Sequence, residues 1–119
     1  EIADAFVSLS EHEGFCIPLV EAMSRHVPTF FLSNTGMKET MNKSGVALHT
    51  EDPFELAQIL AGILKSPKAL NTIFRSQHER LIDLAKEQNA SRVQELILEL
   101  VTRVRTSPEI HFEKELWKR

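Results

Sequence analysis

The sequence has few of the features that would fix its class directly. It contains a single cysteine, so no disulfide can form within the chain, and a reducing compartment is favoured. No apolar run approaches the roughly 20 residues that a membrane-spanning helix needs, and no signal-peptide pattern opens the chain. Neither sign of charge dominates. The net charge is −3 with acidic and basic residues interleaved, which argues against nucleic acid as a main partner.

The composition that remains is that of an ordinary folded domain. Hydrophobic residues make up 42% of the chain and charged residues 26%, as in soluble globular proteins. A chain of 119 residues is long enough to bury a core and short enough to form one domain. We therefore expect a single globular unit without internal repeats.

Hydrophobic patterning predicts strands that alternate with helices. Short apolar runs rich in β-formers predict strands over 5–9, 29–32 and 46–49, the first of them buried. Helical spacing and start signals predict helices over 17–25, 37–42, 53–65, 68–88 and 90–104. This alternation is typical of an α/β fold with a parallel sheet, in which ligands bind at the carboxyl ends of the strands.

The segment 11–23 carries most of the functional information. Gly14 lets the backbone come close to a bound group, and Pro18 suits the first turn of a helix. The N–H groups and the dipole at a helix start attract anions such as phosphate. Helical side chains tilt toward the N-terminus of the helix, so the side chain of Glu21 should point toward the helix start. Glu13 would approach the same helix start from the preceding loop. A phosphate site between two carboxylates fits a nucleotide-diphosphate sugar.

The same segment resembles the donor-binding half of the retaining glycosyltransferases of family 4, which have the two-domain GT-B fold and a Glu-x7-Glu motif. The resemblance covers about the first half of the chain, and its further matches are 3–10, 27–32, 35–39, 45–48 and 52–53, in the family's order. The implied fold is a partial Rossmann-like parallel sheet with flanking helices, the second half of a GT-B C-terminal domain, followed by C-terminal helices.

The resemblance also implies a role for each residue of the motif. Glu21 would hold the ribose of the nucleotide, and Glu13 is the candidate catalytic group. The residues that would hold the donor sugar and its pyrophosphate are Glu13, Gly14, Phe15, Cys16 and Ile17. The family needs neither a protein-bound metal nor a cofactor.

Three positions depart from the family pattern. Cys16 stands where a second glycine is common, His26 where a glycine usually ends the motif helix, and Thr35 where a glycine pair usually begins. These departures bear mainly on which sugar is used.

The resemblance further implies an organisation and a setting. The chain lacks an initiator methionine, and we interpret it as a segment of a longer enzyme that is inactive alone. Residues 1–105 would form a donor-binding domain incomplete at its N-terminal side, and 106–119 a C-terminal tail. The donor would be a UDP- or GDP-sugar, and a separate N-terminal domain would bind a glycan or lipid-linked acceptor. The parent enzyme would transfer a hexose with retention during polysaccharide biosynthesis, in the cytoplasm or peripherally at the inner face of the membrane.

Several alternatives stay open at this point. The same scaffold is compatible with a nucleotide-sugar epimerase of the GT-B type or with a degenerate, non-catalytic GT-B binding module. Cys16 could be a nucleophile with His12 as its base, although packing explains it better. Gly36, Lys38 and Glu39 could approach the donor sugar or the N-terminal domain of the parent enzyme, or simply begin a helix after a turn.

Overall fold

The computed structural model describes residues 3–12, 14–33 and 36–87, together with Leu98 and Thr102. Three strands and four helices alternate along these residues. Their bounds are β1 Phe6–Ser8, α1 Ile17–Ser24, β2 Thr29–Leu32, α2 Met37–Met41, β3 Val46–Leu48, α3 Pro53–Leu64 and α4 Pro67–Glu87. Most of the predicted last helix and all of the predicted tail lie outside the described residues. Leu98 and Thr102 are both helical.

The strands form one parallel sheet in the order β1-β2-β3. Val7 is opposite Phe30, and Phe31 is opposite Ala47. The central strand β2 is fully buried and, apart from Thr29, apolar, as expected for a parallel strand with helices on both faces. The predicted α/β fold with a partial Rossmann-like sheet is therefore confirmed.

Helices cover both faces of this sheet. Because successive side chains of a strand point to opposite faces, Phe31 packs with α1, α2 and α4, while Phe30 and Leu32 pack with α3. Phe30 and Phe31 are 0% and 2% exposed, and burial of each contributes about 1.5–3 kcal/mol. The layer with α1 matters most for function because it carries the start of the motif helix.

Local signals set two of the helix starts as the sequence predicts. The carboxylate of Asp52 accepts hydrogen bonds from the N–H groups of Phe54 and Glu55, at 3.0 and 2.9 Å, ahead of Pro53. The hydroxyl of Ser66 accepts from the N–H of Ala69 at 3.2 Å and caps α4. Each cap satisfies backbone donors that the first turn of a helix leaves open.

The prediction that the first strand is buried is wrong in part. Val7 and Leu9 are 40% and 42% exposed. The reason is that β1 has β2 as its only neighbour within the described residues, so one side of the strand stays uncovered. An apolar run identifies a strand but does not say whether it lies in the middle of a sheet or at its edge.

α4 contains two buried polar side chains that the sequence pattern did not indicate. One of them, Gln77, is 1% exposed and joins α4 to the start of β2. Its Oε1 accepts from the backbone N–H and the hydroxyl of Thr29, both at 2.9 Å, and its Nε2 donates to the carbonyl of Val27 at 3.0 Å. The helix thereby holds the backbone ahead of the central strand. The other, Arg80, is described with the site below.

The chain leaves the motif helix α1 through His26, which follows the C-cap residue Arg25 and has a left-handed conformation. The N–H of His26 donates to the carbonyl of Met23, and that of Val27 to the carbonyl of Ala22, while φ of His26 is 61°. These two bonds form a Schellman motif, which favours glycine at this position. The histidine ring instead stacks on Phe74 of α4, with ring centroids 4.9 Å apart.

We expect His26→Gly to change the pH dependence of stability more than stability at neutral pH. Relief of the left-handed backbone gains roughly 1–2 kcal/mol, and loss of the stack on Phe74 costs about 0.5–1.5 kcal/mol. Burial, aided by the charge of His78, lowers the pKa of His26 from 6.5 to about 4. The unfolded chain therefore takes up the proton first, and the parent protein loses stability as the pH falls from 6.5 toward 4. Urea denaturation at pH 7.5 and pH 5 should show a smaller loss for the variant.

A matched control is Asn42→Gly. Asn42 is exposed and also has a positive φ, 42°, so the substitution changes a left-handed residue without removing a histidine. It should keep the pH dependence of the parent protein. An equal loss of stability at pH 5 in His26→Gly and in the parent protein would show that His26 is not the titrating group.

Candidate functional site

The start of α1 presents backbone N–H groups that donate to no acceptor among the described residues. Cys16 is the N-cap residue, and its side chain makes no capping hydrogen bond. Its carbonyl accepts from the N–H groups of Leu19 and Val20, at 3.2 and 3.3 Å. Within 3–12, 14–33 and 36–87, the N–H groups of Gly14, Phe15 and Ile17 donate to no acceptor. Together with the helix dipole, these donors form an electropositive helix start suited to an anion.

Gly14 contributes open space rather than an unusual backbone angle. The φ angle of Gly14 lies outside the left-handed region. Among the described glycines, Gly45 is the one with a left-handed φ, 67°. A Cβ built on Gly14 meets nothing within 4 Å, so the fold does not require glycine at this position. What the missing side chain provides is an approach to the backbone from outside.

Cys16 points away from that approach. Its side chain is buried, with 5% exposure, and belongs to the core cluster beneath α1 together with Leu19 and Phe31. The packing interpretation of Cys16 is supported, and a solvent-accessible catalytic thiol is not. Only the backbone of Cys16 faces the helix start.

The two glutamates of the motif differ in how far the structure describes them. Glu21 lies about one turn inside α1, is exposed, and forms no ion pair with another described residue. Its carboxylate is therefore available to a ligand. Glu13 lies outside the described residues. The expectation that both carboxylates lie beside the start of α1 therefore stays a prediction, and so does the catalytic role of Glu13.

The loop between β1 and α1 is called the motif loop. A pocket of about 270 Å³ adjoins it, and we call this the motif pocket. It lies between that loop, α2 and the last turns of α4. Its lining residues are Gly14, Phe15, Gly36, Glu39, Thr40, Arg80, Leu84 and Glu87. Gly36 and Glu39 both line this pocket, and Gly36 is also the N-cap residue of α2, so their approach to the donor sugar stays a prediction. Thr35 lies outside the described residues.

Arg80 is the residue of the motif pocket that the sequence did not predict. It is 6% exposed and reaches from α4 to the end of α2. Its Nε donates to the carbonyl of Thr40 at 2.6 Å, its Nη2 to the carbonyl of Glu39 at 3.2 Å, and its Nη1 to the carboxylate of Glu87 at 2.8 Å. Carbonyls in the last turn of a helix lack partners within the helix, and a cation there also suits the dipole. Arg80 therefore fixes α2 beside the motif loop.

A second polar contact lies where β2 and β3 end. The hydroxyl of Ser33 and the Nδ1 of His49 are 2.8 Å apart, and the N–H of Ser33 donates to the carbonyl of Leu48 at 3.1 Å. Because the strands are parallel, this pair and the motif loop after β1 follow the same edge of the sheet. Nothing in the sequence pattern indicated the pair, since 16 residues separate its members.

The described residues contain neither a cluster of metal-ligating side chains nor a membrane-spanning helix. No three His, Cys, Asp or Glu side chains there converge as metal ligands would. Within the described ranges, no helix combines the length and the apolar character needed to cross a bilayer.

These features together define a class before any comparison is made. A parallel α/β sheet with helices on both faces, and a helix that starts at its carboxyl edge, is the arrangement of a Rossmann-like domain. The model of the glycosyl transferases group 1 matches residues 1–88 of the 119, and the chain belongs to that family. Comparisons with curated proteins and with solved structures gave no match. The predicted resemblance to a glycosyltransferase is confirmed at the level of this family.

Proposed function

We propose that this chain is the donor-binding part of a retaining glycosyltransferase of family 4. The enzyme transfers a hexose from a UDP- or GDP-sugar to a hydroxyl of a glycan or lipid-linked acceptor, in the cytoplasm or at the inner face of the membrane, for polysaccharide synthesis. The observation that carries the proposal is the unfilled start of α1, where Gly14, Phe15 and Ile17 offer N–H groups and Glu21 follows one turn later.

The proposed chemistry is electrostatic and positional. As the bond from the sugar to the diphosphate breaks, negative charge grows on the leaving diphosphate. Preorganised N–H groups at the start of α1 stabilise that charge without having to reorganise. Glu21 holds the ribose and Glu13 orients the sugar, so the reacting carbon is presented in one geometry. No side chain of this segment needs to act as a nucleophile.

The first test is a nucleotide panel on the full-length protein. A ligand that binds only the folded state raises the melting temperature, so UDP, GDP and their sugar conjugates should raise it while adenosine does not. A rise with one nucleotide family would identify the base. Product in which the sugar is isomerised without an acceptor would favour the epimerase, and no rise with any nucleotide would favour the non-catalytic module and contradict the proposal.

The second test is Gly14→Val against Gly62→Val. A Cβ meets nothing within 4 Å at either position, so neither substitution should reduce stability by more than about 0.5 kcal/mol. Only Gly14 adjoins the start of α1, where a valine side chain should block the approach of the diphosphate. We expect calorimetry to show at least tenfold weaker nucleotide binding for Gly14→Val and unchanged binding for Gly62→Val. Equal affinities would remove the start of α1 as the binding site.

A further inference from the structure

The wall of the motif pocket formed by α2 and α4 carries its own chemistry, apart from the motif. Arg80 is buried in that wall, and a guanidinium has five N–H donors. Acceptors among the described residues occupy one donor each on Nε, Nη1 and Nη2. The second N–H of each terminal nitrogen donates to no acceptor among the described residues.

The charges of the lining residues oppose an anion. The carboxylate of Glu87 pairs with Arg80 at 2.8 Å and balances its charge, and Glu39 adds a second carboxylate to the lining. The lining therefore has one positive charge against two negative ones. A ligand carboxylate or phosphate would meet net repulsion, whereas hydroxyl groups can donate to carboxylates and accept from the free N–H groups of the guanidinium.

The apolar lining residues of the motif pocket and its volume fit one sugar ring. Phe15, 37% exposed, offers apolar surface for the C–H face of a ring, whereas Leu84, although it lines the pocket, is only 2% exposed. The volume of about 270 Å³ is below the ~300–1,000 Å³ of sites that enclose a drug-sized ligand. A monosaccharide unit suits this volume, and a whole nucleotide sugar exceeds it.

We infer that the motif pocket receives the sugar of the donor and selects an uncharged hexose over a hexuronic acid. This inference rests on the proposed function, because it takes the diphosphate to be held at the start of α1. Glu87 is the specificity-determining residue, since its carboxylate prevents the guanidinium of Arg80 from pairing with a carboxylate on the sugar. Glu39 strengthens the same preference by its charge.

The experiment compares matched donors on the full-length protein and on Glu87→Gln. Calorimetry measures the dissociation constants of UDP, UDP-glucose and UDP-glucuronic acid, and of GDP, GDP-mannose and GDP-mannuronic acid. The parent protein should bind the neutral sugar nucleotide at least tenfold more tightly than the uronate. Glu87→Gln keeps the shape of the side chain and frees the charge of Arg80, so this ratio should fall by about tenfold or more while the affinity for the free nucleotide is unchanged.

A control on the same helix separates local from general charge effects. Glu79 is exposed on α4 and does not line the motif pocket, so Glu79→Gln should keep the ratio of the parent protein. If free UDP or GDP binds but the ratio is close to one, or does not change in Glu87→Gln, the inference is overturned while the proposed function stands. If no nucleotide binds at all, the proposed function is contradicted, and the inference, which rests on it, is contradicted as well.

Discussion

Replacing Glu21 by alanine should lower kcat/KM for the nucleotide-sugar donor by about 100-fold or more in the full-length protein. The proposed role of its carboxylate is to accept hydrogen bonds from two ribose hydroxyls, and each bond to a charged acceptor is worth about 1.5–3 kcal/mol. Loss of both therefore removes about 3 kcal/mol or more of binding, which corresponds to at least ~100-fold. Steady-state kinetics with the donor identified by the nucleotide panel measures the change.

Two properties of Glu21 allow a loss of activity in this variant to be separated from a loss of stability. The side chain is exposed and makes no ion pair with another described residue, so the melting temperature without ligand should stay the same. Glu21→Gln keeps one acceptor oxygen and should lose less activity than the alanine variant. Glu79→Ala, on an exposed face of α4, should retain full activity. Near-normal turnover by Glu21→Ala would count against ribose binding at this position.

The largest effect on stability should come from Gln77→Leu. Leucine has a similar size but no polar atoms, so the N–H of Thr29 and the carbonyl of Val27 lose their hydrogen-bond partner on Gln77. A buried donor or acceptor left without a partner costs about 1–3 kcal/mol. With the bond to the hydroxyl of Thr29 also lost, we expect the free energy of unfolding to fall by about 3–5 kcal/mol, measured by urea denaturation.

The matched control for this variant is Gln58→Leu. Gln58 is exposed on α3, where the same substitution should change stability by no more than about 0.5 kcal/mol. Unfolding free energies that fall equally in both variants would mean that loss of glutamine in general, and not the tie between α4 and β2, determines the result. A stable Gln77→Leu protein would require another donor and acceptor to replace the amide.

The elements of this fold follow closely from local sequence. The caps at Asp52 and Ser66 lie within three residues of the donors that they satisfy, so their effect is visible in the sequence itself. The strands were also predicted, because β-formers in short apolar runs need no distant information. The exposure of Val7 was missed, since position within a sheet depends on which strands are neighbours.

The unpredicted residues are those whose partners are distant along the chain. Gln77 bonds to Thr29 across 48 residues, and Arg80 bonds to Thr40 across 40. On a helix with an apolar stripe, a glutamine or arginine is normally predicted to face solvent. Only the packing of α4 against α1 and α2 shows that these two face inward. The motif loop was predicted because its chemistry is local, whereas the motif pocket required three separated segments to come together.

Because the space around Gly14 is open, a larger side chain at this position can reduce activity without reducing the stability of the fold. Chaperones and proteases act on chains that unfold, and a larger side chain here gives them nothing to recognise. A protein with such a change should therefore accumulate at normal levels. Loss of ligand binding by this route would appear as an inactive protein at normal abundance, and not as a shortage of enzyme.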